Sequence, residues 1–157
     1  MRNTISSRSQ NPADKPVQTA RKLASQLWGE VQHQRKLAEG IWMFDCSGHG
    51  GIITDINVRP ETGFRKTFVY AYKGRIQGWA AEQHYAAFEE DCDAAMVEWM
   101  YASEIITEKY MSHFVNEKGL SFSEWKSERI GILFESIARW NPNFLKTCPA
   151  PDIRTYK

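Results

Sequence analysis

Residues 40–58 read G-I-W-M-F-D-C-S-G-H-G-G-I-I-T-D-I-N-V, and the reading of this stretch decides the fold. Two runs rich in aromatic and β-branched side chains, residues 40–46 and 51–58, flank a short glycine-rich segment. Such a pattern predicts two strands joined by a hairpin. Connections this short cannot carry a parallel crossover, so a sheet built on this hairpin is antiparallel. Gly48, Gly50 and Gly51 are expected to supply the positive φ angles that a tight or bulged turn needs. His49 is not explained this way, because a turn uses Asn or Asp more readily.

Outward from the hairpin, residues 31–37 (VQHQRKL), 67–73 (TFVYAYK) and 75–80 offer further strands. Upstream, Val17, Ala20, Leu23, Ala24, Leu27 and Trp28 recur at helical spacing, and Gly29 supplies a stop. Downstream of Asp91 the period becomes helical again. Met96, Trp99, Met100, Ile106, Tyr110 and Phe114 form one apolar stripe, with Asp91 or Asp93 as N-cap and Gly119 as terminator. Ser121-Phe-Ser-Glu124 has the capping-box pattern and opens a second helix, which is expected to bury Trp125, Ile130, Leu133, Phe134 and Ile137 and to stop before Pro142. Strands followed by helices predict an α+β fold: a small antiparallel sheet covered on one face by two long C-terminal helices, plus a short N-terminal helix.

The chain of 157 residues is of single-domain size, and its 42% hydrophobic and 25% charged content is that of a folded protein. Residues 1–16 have little to bury and read as a flexible tail, leaving 17–157 as one domain. Three cysteines, Cys46, Cys92 and Cys148, lack C-x-x-C spacing, which predicts free thiols in a reducing compartment. Neither a membrane-spanning run nor an apolar signal core is present, so the expected location is the cytoplasm. Charge is segregated along the chain. Residues 1–75 carry twelve Lys/Arg against six Asp/Glu, and residues 76–157 carry eight against thirteen.

Three kinds of site follow from these residues. Cys46 and His49 have C-x-x-H spacing, with Cys92 or the nearby carboxylates to complete a zinc set, but a second short-spaced pair is missing and no metal or cofactor is expected. His49 as a general base, oriented by Asp45, Glu89, Glu90 or Asp91, would suit a hydrolase or transferase, although no nucleophile motif accompanies it. The run F-E-E-D-C-D at 88–93, with Glu82, Glu98, Glu104 and Glu108, predicts an acidic face able to occupy a nucleic-acid channel on another protein, with His49, Glu89, Glu90, Asp93 and Glu98 as binding residues. The converse reading is a nucleic-acid module using Arg59, Arg65, Lys66, Lys73 and Arg75 with Phe64, Phe68, Tyr70 and Tyr72 for stacking.

The S-G-H-G-G stretch, followed about forty residues later by Y-x-x-F-E-E-D-C-D, resembles an uncharacterised family of small phage- and plasmid-borne domains in which S-x-H-G-G precedes F-E-E-D-C-D-W. The resemblance covers residues 42–97, and Ala94 stands where that pattern has Trp. It implies a mobile-element origin. Small proteins of that origin often bind and disable a host defence protein such as a CRISPR or restriction nuclease, and that is the function expected here. No activity or cofactor is implied.

Overall fold

The computed structural model describes residues 15–65 and 85–151. Helix α1 (Lys15–Trp28) is followed by β1 (Val31–Ala38), β2 (Ile41–Cys46) and β3 (Gly50–Asp55), then a 3₁₀ helix (Pro60–Arg65) and β4 (Tyr85–Glu89). The rest is helical: α2 (Ala94–Met100), α3 (Ala102–Ile105), α4 (Glu108–Met111), α5 (Phe122–Trp140) and α6 (Pro142–Thr147). The strands pair in chain order and all antiparallel. The strands expected at 67–73 and 75–80 lie outside the described residues, as do residues 1–14 of the tail expected at 1–16, Glu82 and most of the basic-aromatic set; Lys15 and Pro16, expected in the tail, belong to α1. Among the described residues no helix is long and apolar enough to cross a membrane.

Side-chain alternation puts an apolar set on each face of the sheet, and both faces are covered. Trp42, Phe44, Ile53, Tyr85 and Ala87 pack with Ala20, Leu23, Ala24 and Trp28 of α1. Ile41, Ile52, Ala86 and Phe88 pack with α2, α3 and α5. The expectation of one covered face is therefore corrected to three layers, with the sheet in the middle. All six residues of β3 are buried. Among the described residues β1 is an edge strand, and between Val31 and Ala38 it carries Gln32, His33, Gln34 and Lys36 toward solvent, the usual protection of an edge.

Two long C-terminal helices were expected and one is found. The stretch expected as a single helix breaks at Tyr101 and again at Ile106. Consecutive Ile105, Ile106 and Thr107 are poor helix formers, and Thr107 leaves the helical region to cap α4 by accepting from the Tyr110 amide. Tyr101 is also held from outside the helix. Its hydroxyl donates to Glu61 at 2.7 Å, and the Arg59 guanidinium stacks on its ring. The capping box forms as expected, with Ser121 and Glu124 each satisfying an amide of the other. Trp125, Leu133 and Ile137 are buried as expected, whereas Ile130 is only partly buried and Phe134 is half exposed, its ring tilted against that of Trp99 at 6.0 Å.

Candidate functional site

The hairpin tip is held by α1. The Trp28 carbonyl accepts from the amides of both Gly48 and His49, at 3.0 and 3.3 Å, and Glu30 accepts from Ser47 at 2.9 Å. Gly51 sits beneath the Trp28 ring: a Cβ there would lie 2.7 Å from the indole edge and still closer to the Phe88 carbonyl oxygen. A Cβ on Gly50 would meet the Glu90 carboxylate at 2.7 Å. None of these hairpin glycines has a positive φ; among the described residues the left-handed glycines are Gly29, Gly40 and Gly119. The expected reason for the glycines is thus corrected. They are selected by close approach: of Trp28 to Gly48 and Gly51, of the Phe44 and Phe88 carbonyls in the neighbouring strands to Gly50 and Gly51, and of Glu90 to Gly50.

Register then decides what stands beside His49. Glu89 pairs with Gly51 at the end of β4, and the Glu90 amide donates to the Gly50 carbonyl at 3.0 Å. The chain next turns, with the Asp93 amide returning to the Glu89 carbonyl at 2.9 Å, so Asp91 also faces the hairpin tip. His49 Nδ1 lies 3.3 Å from Glu89 Oε1 and 3.9 Å from Asp91 Oδ2. The side chains of His49, Glu89 and Asp91 are 57%, 35% and 75% exposed, which makes this an open corner and no pocket. The two stretches that stood out in the sequence therefore meet in space.

The corner is crowded with negative charge. Partial burial, then Asp91 and Asp45, push the Glu90 carboxyl above its ordinary range, with His49 opposing them. Arg35 offsets Asp45 across the β1–β2 ladder at 3.1 Å. Among the described residues no Lys or Arg pairs with Glu89, Glu90 or Asp91.

Four other candidates are placed elsewhere. Cys46 points toward the α1 side of the sheet, and burial together with Asp45 and Glu90 pushes its thiol up, so it is a packing residue and not a ligand beside His49. The donor group that does assemble is His49, Glu89 and Asp91, without Cys46 or Cys92; the Cys92 thiol stands 4.0 Å from Glu89 Oε2. Asp93 and Glu98 do not form a binding face. Asp93 is buried and accepts from the Asn141 amide at 3.1 Å; Glu98, 2% exposed, makes a bidentate pair with Arg129 of α5. Both carboxylates hold helices together. Arg59 is likewise consumed by Glu104 and Tyr101, which removes it from a nucleic-acid surface.

The sequence reading did not find a cavity of about 740 Å³ between α2 and α6, walled by Met96, Met100, Trp140 and Phe144 with the Glu61 carboxylate at its edge. Only the Asn141-Pro142 break, which turns α6 back beside α2, hinted at it. Neither this cavity nor a smaller one beside Trp125 is lined by His49.

A family model described as a domain of unknown function, DUF7007, matches residues 21–63. The matched segment runs from α1 to the 3₁₀ helix, so it contains the His49 hairpin and excludes Glu89 and Asp91. No curated protein and no solved structure matches the chain.

Proposed function

We propose that this is a binding protein that inhibits its partner, using the corner formed by His49, Glu89, Glu90 and Asp91 against a basic surface of the kind that holds nucleic acid. The observation that carries this reading is that the clustered carboxylates stand on an open corner with no cationic partner among the described residues. A catalytic histidine gains from an enclosed, water-poor site, whereas charge that steers and orients association works best when exposed. In this reading, which the resemblance to mobile-element domains supports, the partner is a host defence protein, such as a CRISPR or restriction nuclease, met in the cytoplasm of a bacterial cell. No cofactor is needed. The test is affinity capture from a bacterial lysate containing such complexes, read by mass spectrometry. Specific recovery of a nucleic-acid-binding defence protein, lost at high salt, is the expected result; recovery of nothing contradicts the reading.

A second reading rests on the 3.3 Å contact between Glu89 and His49, which orients the imidazole as a general base is oriented. Hydrolysis of a model ester or phosphodiester, abolished by His49→Ala, would favour it.

A further inference from the structure

We propose that His49, Glu89 and Asp91 bind one divalent first-row transition cation, with Zn²⁺ strongly preferred over Ca²⁺, at the open corner where the β2–β3 hairpin meets the end of β4. The site goes beyond the acidic-corner reading and is tested without any partner.

The geometry comes first. One donor atom from each residue can be chosen so that all three lie within 4.8 Å of one another. Bonds of about 2.0–2.2 Å around a tetrahedral or octahedral ion put neighbouring donors roughly 3.0–3.4 Å apart. The observed 3.3 Å from His49 to Glu89 already meets that spacing, and the 3.9 Å to Asp91 needs only a small rotation of a side chain that is 75% exposed. The donors come from two segments whose backbones are fixed: the Trp28 carbonyl ties down residues 48 and 49, the β3–β4 ladder holds Glu89, and the turn from Glu89 to Asp93, closed on the Glu89 carbonyl, carries Asp91. Little chain ordering remains to oppose binding.

The donor set selects the ion. A neutral imidazole with two carboxylates carries a formal charge matching a dication, and nitrogen ligation favours Zn²⁺ and its neighbours in the first transition row. Ca²⁺ takes six to eight oxygen ligands, of which this corner offers too few. Because His49 and Asp91 are exposed, the remaining coordination positions open to solvent and take water, so the site is of the open kind.

The experiment is isothermal titration of the full chain, stripped with EDTA and dialysed, with ZnCl₂ and in parallel CaCl₂ at near-neutral pH. The proteins are wild type, His49→Ala, Glu89→Gln, Asp91→Asn, and two controls at exposed histidines, His33→Ala on β1 and His113→Ala after α4. Far-UV circular dichroism establishes that each variant is folded; Asp91→Asn, at the most exposed of the three ligands, keeps the test available if another variant fails to fold. Expected is one equivalent of Zn²⁺ at about micromolar Kd, weakened about tenfold or more in each ligand variant, unchanged in both controls, with Ca²⁺ at least about a hundredfold weaker. Absence of saturable Zn²⁺ binding up to about 1 mM overturns the proposal. So does undiminished Zn²⁺ binding in the ligand variants, or equal affinity for Ca²⁺. Partner capture repeated in EDTA separates the two readings, because the acidic-corner reading predicts that it persists there.

Discussion

At residue 51 the side chain is absent because the Phe88 carbonyl oxygen and the Trp28 ring occupy its place. Gly51→Ala would force either the indole or the β3–β4 ladder to move, and is expected to cost about 1–3 kcal/mol in urea unfolding. His49→Ala, at an exposed tip, should stay within about 0.5 kcal/mol of wild type in the same measurement. A loss at His49 equal to that at Gly51 would make the histidine structural. Glu90 gives a prediction with a defined pH sign. Its carboxyl is held above the ordinary value in the folded protein, so its contribution favours folding at low pH, below the unfolded-state value, and is lost as pH rises through the folded one. Glu90→Gln should therefore stabilise slightly near neutral pH, by less than about 1 kcal/mol given the solvent around it, and the advantage should vanish below about pH 4. Urea titrations at the two pH values read this directly. The glycines and His49 were visible as an anomaly in the sequence. What fixes them was not visible, because the pressure on Gly51 comes from a strand carbonyl 37 positions later and a ring 23 positions earlier, both on other elements.

At the scale of elements, the Glu98–Arg129 pair is the main polar tie between α2 and α5. Glu98 is 2% exposed and its carboxylate accepts from Arg129 at 2.7–3.0 Å, beside the ring of Phe114. Arg129→Met alone leaves a buried carboxylate without its partner and is expected to cost about 3 kcal/mol; Glu98→Leu combined with Arg129→Met should recover most of that loss. A double-mutant cycle in urea measures both, and additive losses would refute a coupled pair. The periodicity of the sequence counts Glu98 as a solvent-facing acid, which is the usual case, and nothing local signals a partner 31 positions away. The same kind of distance hid β4. Its Tyr-Ala-Ala-Phe-Glu has few β-branched residues, and the two alanines are there because Ala86 and Ala87 are pressed by helices from opposite faces. By contrast α1, the hairpin and the α5 capping box were legible, since spacing, turn chemistry and capping are all encoded within a few residues of where they act.

At the scale of the molecule, a fully buried central strand and helices on both faces leave polar function to the rims of the sheet. One rim carries the hairpin tip and the end of β4, so antiparallel register alone brings His49 beside Glu89. Sequence segregation of charge had suggested a broad acidic helix face. Folding narrows it, since Asp93, Glu98 and Glu104 are all engaged internally, while Glu89, Glu90 and Asp91 stand at the corner with no Lys or Arg partner among the described residues. A small, dense patch of this kind should act mainly on association rate and salt dependence. Its reversal should therefore weaken binding without unfolding the protein.

The measurement that bears most directly on this account is capture of the partner by the Glu89→Lys/Glu90→Lys/Asp91→Lys protein, alongside wild type and a distant control, Glu117→Lys/Glu128→Lys. Loss of capture by the corner variant alone, with all three proteins equally folded, is the predicted result. Equal capture by the corner variant and wild type would contradict it.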